Sequence, residues 1–79
     1  MNAWTPVDGL PDLTLVGAAA KRSLIQIEHR SIPGRTVIVT LVAWPLNGRR
    51  VARCATTADT RFTVPCAQVI AVQLPVVRA

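Results

Sequence analysis

Apolar and polar residues alternate along much of the chain with the period of two that is typical of half-buried β-strands. In Leu24–Arg30, for example, Ile25 and Ile27 alternate with polar residues. Thr36–Trp44 is the strongest predicted strand, because it is rich in the Val, Ile and Thr residues that fit a pleated sheet. Both of its faces are largely apolar, so we expect it to be covered on both sides, by the core and by a partner or the N-terminal segment.

Turn residues divide the rest of the chain into further short strands. Pro33–Gly34 predicts a turn, and Asn47–Gly48 predicts a tight hairpin, because both of its residues tolerate positive φ. A third turn is expected at Ala58–Thr60. The strands that these turns separate are Arg49–Thr57, Arg61–Val64 and Cys66–Leu74. Sequential hairpins of this kind favour a small antiparallel barrel or sandwich of about five strands.

The N-terminal region carries weaker signals. Residues 1–12 contain Pro6, Gly9 and Pro11, which predict an irregular arm that carries Trp4. The next segment, Leu13–Arg22, is compatible with a short helix, whose apolar face would include Leu13, Val16 and Ala20, or with a strand. We therefore predict an all-β fold with an N-terminal arm, 1–12, and one small β domain, 13–79.

Composition adds an apolar excess to this picture. Hydrophobic residues make up 51% of the 79 residues and charged residues 16%, whereas a typical soluble domain has about 25% charged residues. Since a chain this short buries a limited share of its surface, part of the excess is expected to face other protein subunits, in a homo- or hetero-oligomer. No apolar run approaches the length of about 20 residues that spans a membrane, and no signal peptide is evident, so we expect a cytoplasmic or virion protein without a membrane partner.

The net charge of +5 comes mostly from arginine, whose forked guanidinium suits both protein interfaces and phosphate groups. Several arginines lie near the Pro-Gly and Asn-Gly turns, where one end of a barrel would gather them. The residues that we predict to bind a partner are Trp4, Arg30, Arg35, Ile38, Trp44, Arg49, Arg50 and Arg53.

Residues for catalysis are scarce. The four carboxylates are scattered, and Glu28 and His29 point to opposite faces of their predicted strand. Two cysteines and one histidine are too few for a structural zinc site, and no Gly-rich phosphate loop is present. We predict no catalytic, cofactor or metal site, and no enzyme.

The two cysteines leave a disulfide open. Cys54 and Cys66 lie opposite each other if the turn between their strands centres on Thr60, and they are diagonal neighbours with a strained bridge if it centres on Asp59. Buried thiols are the preferred interpretation in a cytoplasmic protein.

One segment resembles a known motif. Leu46–Val51, with Asp59 twelve positions after Asn47, resembles the first half of the RNA-binding motif of Sm-like proteins. The resemblance implies a helix followed by five strands and an affinity for RNA. Arg53 stands where that family has a glycine, and Thr63 where it has the asparagine that contacts RNA.

These observations lead to two functional hypotheses. The first is a non-enzymatic assembly protein, in its concrete form a bacteriophage capsid accessory or cement subunit, which binds other subunits through apolar strand faces and arginines. The alternative is a small nucleic-acid-binding β-barrel, Sm-like or similar, whose binding would depend steeply on salt.

Overall fold

A computed structural model describes residues 2–29, 31–48 and 50–75. They form one helix and six strands, with short 3-10 turns at Val7–Gly9 and Cys66–Gln68. The elements are β1 (Asn2–Pro6), α1 (Asp12–Ala20), β2 (Leu24–Glu28), β3 (Thr36–Ala43), β4 (Val51–Ala55), β5 (Arg61–Pro65) and β6 (Val69–Pro75).

The six strands form a single antiparallel sheet in the order β1-β6-β2-β3-β4-β5. This confirms the prediction of a small antiparallel β domain. The described strands leave β1 and β5 as the two edges, so the sheet is not closed into a barrel. The helix followed by five strands, which the Sm-like resemblance implies, is present as α1 and β2 to β6.

The N-terminal segment differs from the expectation of an irregular arm. Its residues Asn2–Pro6 form β1, which pairs with β6 so that Trp4 lies opposite Gln73. Pro6 does not prevent this, because it is the last residue of an edge strand, where the missing N–H removes little pairing.

Leu13–Arg22 forms a helix over most of its length, α1, which packs against β3 and β6. The predicted apolar face was wrong. Leu15, Ala18 and Ala19 are buried, whereas Leu13 is largely exposed. Small alanines suit this position because they allow the helix to lie close to the sheet.

On each of β2 to β6, one row of side chains points into the core beneath α1. The fully buried side chains at its centre are Leu15, Ile25, Leu41 and Val72, with Cys54 beside them. Trp44, the last residue of the predicted strand Thr36–Trp44, lies just after β3 and is also buried.

Two turns differ from the sequence prediction in detail. β3 ends at Ala43 and β4 begins at Val51, so the connection is longer than a two-residue Asn-Gly hairpin, and only Gly48 of that pair has a positive φ. The turn between β4 and β5 spans Thr56–Thr60 and so begins two residues before the predicted Ala58–Thr60, with Asp59 at a φ of 63°.

Candidate interaction surfaces

The alternation of side chains leaves one face of the sheet towards solvent, and its character changes across the strands. On β1, β2 and β3 the outward residues include Trp4, Leu24 and Ile38, which are 37%, 37% and 51% exposed. We call these three residues the apolar surface. Leu24 pairs with Thr40, and Ile38 with Gln26, so both hydrophobic side chains occupy the same face of the β2–β3 pair as diagonal neighbours.

Trp4 joins this face from the edge strand. It lies opposite Gln73 on β6, and the register of β6 with β2, in which Val72 pairs with Ile25, places Gln73 beside Leu24. The outward residues among these hydrophobic side chains, such as Gln26 and Gln73, are uncharged. The apolar surface therefore has members on β1, β2 and β3, with the polar Gln73 of β6 between Trp4 and Leu24.

The other half of the solvent-facing sheet is basic. On β4 and β5, Arg53 pairs with Thr63, and Arg61 lies one pair further along, opposite Ala55. Arg53 and Arg61 are thus diagonal neighbours on one face, a relation in which Cβ atoms are typically less than about 8 Å apart. We call Arg53, Arg61 and Thr63 the arginine surface. All three side chains are exposed.

A shallow groove of about 400 Å³ opens between the arginine surface and the end of β3. The residues that line it are Val42, Ala43, Arg53, Cys54, Arg61, Phe62 and Thr63. None of these is acidic. Within the part of the chain that the structure describes, neither Arg53 nor Arg61 has a hydrogen-bond or ion-pair partner for its guanidinium. Two positive charges therefore line one groove, and none of the described residues in its lining is acidic.

The other predicted partner-binding residues do not gather at one site. Trp44 is only 5% exposed, and its indole Nε1–H donates a hydrogen bond of 3.1 Å to Oδ1 of Asp12. It belongs to the core and ties α1 to the end of β3. Arg35 and Arg50 are exposed, outside the lining of the groove. Arg30 and Arg49 lie outside the described residues.

Arg22 has a structural role that its position in the sequence did not suggest. It follows α1 with a φ of 55°, the left-handed conformation that often ends a helix. Its Nη1 donates hydrogen bonds of 3.1 Å to the carbonyl oxygen of Ala19 and 2.7 Å to that of Val42. The guanidinium therefore caps the helix and joins it to β3.

His29 lies just after β2, where its Nδ1 accepts a hydrogen bond of 3.1 Å from the backbone N–H of Ser31. It lines a second groove of about 290 Å³, between the β2–β3 hairpin and β5, together with Glu28. Among the described residues, no group of three or more His, Cys, Asp or Glu side chains is placed to hold a metal ion.

Both cysteines are buried thiols, in agreement with the preferred interpretation of the sequence. Cys54 pairs with Phe62, so the strand register centres on Ala58 and neither of the two registers considered from the sequence is correct. Burial of the Cys54 thiol, reinforced by the nearby Cys66, raises its pKa from 9.0 to about 11. A thiol with so high a pKa is a poor nucleophile at neutral pH.

Comparison with known proteins assigns no family. Neither a family model, nor a curated protein, nor a solved structure matches this chain. Over the described residues, no helix has both the length and the apolar character that a membrane crossing requires.

Proposed function

We propose that this protein is a non-enzymatic assembly subunit that associates with further copies of itself through the apolar surface. The observation that supports this most directly is the exposure of Trp4, Leu24 and Ile38 on one continuous face of the sheet. Single exposed hydrophobic residues are common on monomers, but a group of large ones on neighbouring strands is typical of protein interfaces.

The distribution of charge permits a second copy to occupy this surface. Each chain carries a net charge of +5, so two copies repel each other wherever their arginines approach. The residues between the hydrophobic side chains of the apolar surface are uncharged. Charged residues lie at its border: Glu28 at the end of β2, and Lys21 and Arg22, which line a groove together with Leu24 and Gln73. Copies that meet through this face keep Arg53 and Arg61 apart.

The edge strand strengthens the argument. β1 carries Trp4 and consists of uncharged residues, and it has no neighbour on its outer side among the described strands. An unprotected edge readily pairs with another chain. β5, the opposite edge, begins at Arg61, whose charge disfavours the same pairing. Two copies related by a two-fold axis would therefore meet more favourably at β1 than at β5.

The narrower expectation, a capsid accessory subunit in a virion, stays a prediction. It differs from simple self-association because it requires a second, larger protein. The mass of the complex that contains this chain in its native source tests it. A fixed ratio to a major shell protein would support this role, and a complex of this chain alone would exclude it.

Sedimentation velocity of the purified chain across a concentration series tests self-association. We expect the wild-type protein to form a dimer or larger oligomer and Ile38→Glu to sediment as a monomer. Val51→Glu is the matched control, because Val51 is 52% exposed but lies on β4, away from the apolar surface. A wild-type protein that is monomeric at all concentrations, or equal effects of the two variants, would contradict the proposal.

A further inference from the structure

We infer that the groove beside the arginine surface is a binding site for a phosphate group, held by Arg53, Arg61 and Thr63. The site is separate from the apolar surface and is not required for self-association. Its ligand would be free phosphate or the phosphodiester of a nucleic-acid strand, which present the same tetrahedral oxyanion.

The backbone prepares this site in advance. β4 and β5 are paired continuously from Val51–Pro65 to Ala55–Arg61, so the Cα atoms beneath the three side chains are fixed relative to one another. Thr63 lies directly opposite Arg53, and its hydroxyl can donate to the same anion that the guanidinium binds. A ligand would thus order side chains on a rigid platform, which lowers the entropic cost of binding.

The surroundings favour a negatively charged ligand. Val42, Ala43 and Phe62 form an apolar part of the lining, and no carboxylate lines the groove. Two guanidinium groups at diagonal positions repel each other, and neither has a partner among the described residues. An anion placed between them removes that repulsion and gains charge-assisted hydrogen bonds.

Phosphate fits two arginines better than carboxylate does. One guanidinium fork can satisfy both oxygens of a carboxylate in a bidentate pair. A phosphate group has further acceptor oxygens that point in other directions, so Arg53 and Arg61 can each donate to it from different sides. Thr63 can donate to a remaining oxygen. The number and arrangement of donors therefore select the tetrahedral anion.

Two probes test the site and distinguish the sources of phosphate. Inorganic phosphate is titrated into ¹⁵N-labelled protein, with the amide signals of Phe62 and Thr63 as the readout. A fluorescent single-stranded oligonucleotide is titrated at low salt, with anisotropy as the readout. Polyglutamate, added as a competitor to the oligonucleotide complex, is the carboxylate control. The variants are Arg53→Gln, Arg61→Gln and their double, with Arg35→Gln as the matched control, because Arg35 is exposed outside the lining of the groove.

We expect the Phe62 and Thr63 signals to shift with phosphate in the wild type and in Arg35→Gln, and to stay unchanged in the double variant. If the natural source is a nucleic acid, the double variant binds the oligonucleotide at least tenfold more weakly, while Arg35→Gln changes affinity less than twofold. Each phosphate of a single strand that the variant no longer neutralises reduces the slope of log K against log salt by about 0.7. If inorganic phosphate shifts the amide signals but the oligonucleotide does not bind, the ligand is free phosphate.

Several outcomes would overturn the inference. These are no phosphate-dependent shift in the wild type, equal losses in Arg35→Gln and in the double variant, or polyglutamate binding as tight as that of the oligonucleotide. Arg53→Lys keeps the charge but removes the fork, so its binding should lie between that of wild type and Arg53→Gln. Repeating the titrations with Ile38→Glu separates this inference from the assembly proposal, because the phosphate site should survive in a monomer.

Discussion

The two halves of the solvent-facing sheet share one backbone pattern but carry opposite chemistry. On β2 and β3 the outward residues include Leu24 and Ile38, whereas on β4 and β5 they include Arg53, Arg61 and Thr63. Both halves use the same antiparallel pairing and the same alternation of inward and outward side chains. The fold therefore decides which positions reach solvent, and the residue type at those positions makes one half apolar and the other basic.

The inward rows differ in size rather than in polarity. Beneath the apolar surface lie the large Ile25 and Leu41, both fully buried. Beneath the arginine surface lie the smaller Ala52 and Cys54, also fully buried. The residues opposite them on β5 are the larger Phe62 and Val64, which also belong to the core or pack against it, so the difference in size is confined to β4.

Among the substitutions considered, truncation of Leu41 should lower the free energy of unfolding the most. Leu41→Ala is expected to lower the free energy of unfolding by about 2–5 kcal/mol, because it removes buried methyl groups and leaves a cavity. Ile38→Ala, three residues away but on the outward face, should change it by less than about 1 kcal/mol. Urea denaturation of both variants gives the comparison. Equal losses would mean that the outward row also belongs to the core.

A positive charge placed on the apolar surface should make that surface repel a second copy. Ile38→Arg is expected to weaken self-association at least tenfold, and at low salt more than Ile38→Glu does, since it raises the net charge of each copy. At about 1 M salt the two variants should become equal, because long-range repulsion is screened and only the loss of apolar packing remains. Sedimentation equilibrium at both salt concentrations measures this. A weaker effect of Arg than of Glu at low salt would contradict the charge argument.

The strand content could be predicted from the sequence, but the arginine surface could not. Alternation in Thr36–Trp44 and the turn residues around Asp59 indicate where the strands lie. The pairing of Arg53 with Thr63, by contrast, depends on the register, which the Thr56–Thr60 turn sets with a positive φ at Asp59. A register shift of one residue moves a side chain to a different partner, so Arg61 looks isolated in the sequence.

β1 shows a second limit of local patterns. Pro6 indicates a break, and in a central strand it would be one. Only the tertiary pairing with β6 makes Asn2–Pro6 an edge strand and places Trp4 beside Gln73. The residue type of Trp4 is enough to make it a candidate for partner binding, while its neighbours Leu24 and Gln73 come from distant parts of the chain.

Substitutions at the hydrogen bond between Trp44 and Asp12 test whether Trp44 stabilises the core or takes part in self-association. Trp44→Phe should lower the free energy of unfolding by about 2–4 kcal/mol, since it removes a hydrogen bond to a carboxylate and leaves space where the larger indole was buried. Asp12→Asn, which keeps an acceptor oxygen, should cost less than Asp12→Ala. Chemical denaturation measures all three. Self-association should be unchanged in each, because Trp44 is buried, and weaker association would place it in the interface after all.

The smallest predicted effect is a loss of stability at alkaline pH, caused by ionisation of Cys54. Its pKa is about 11 in the folded protein against 9.0 for an unperturbed thiol, chiefly because burial disfavours the thiolate. A raised folded pKa means that the stabilising contribution is complete below pH 9 and is lost as the pH rises towards 11. At about pH 10 we expect a loss of about 1 kcal/mol relative to about pH 8, measured by urea denaturation and absent in Cys54→Ala. Hydrogen–deuterium exchange at high pH gives a second readout. After correction for intrinsic rates, amides of β4 and β5 should exchange faster than amides of β2, whose buried Ile25 does not titrate. Equal acceleration in β4, β5 and β2 would show that the two halves unfold together.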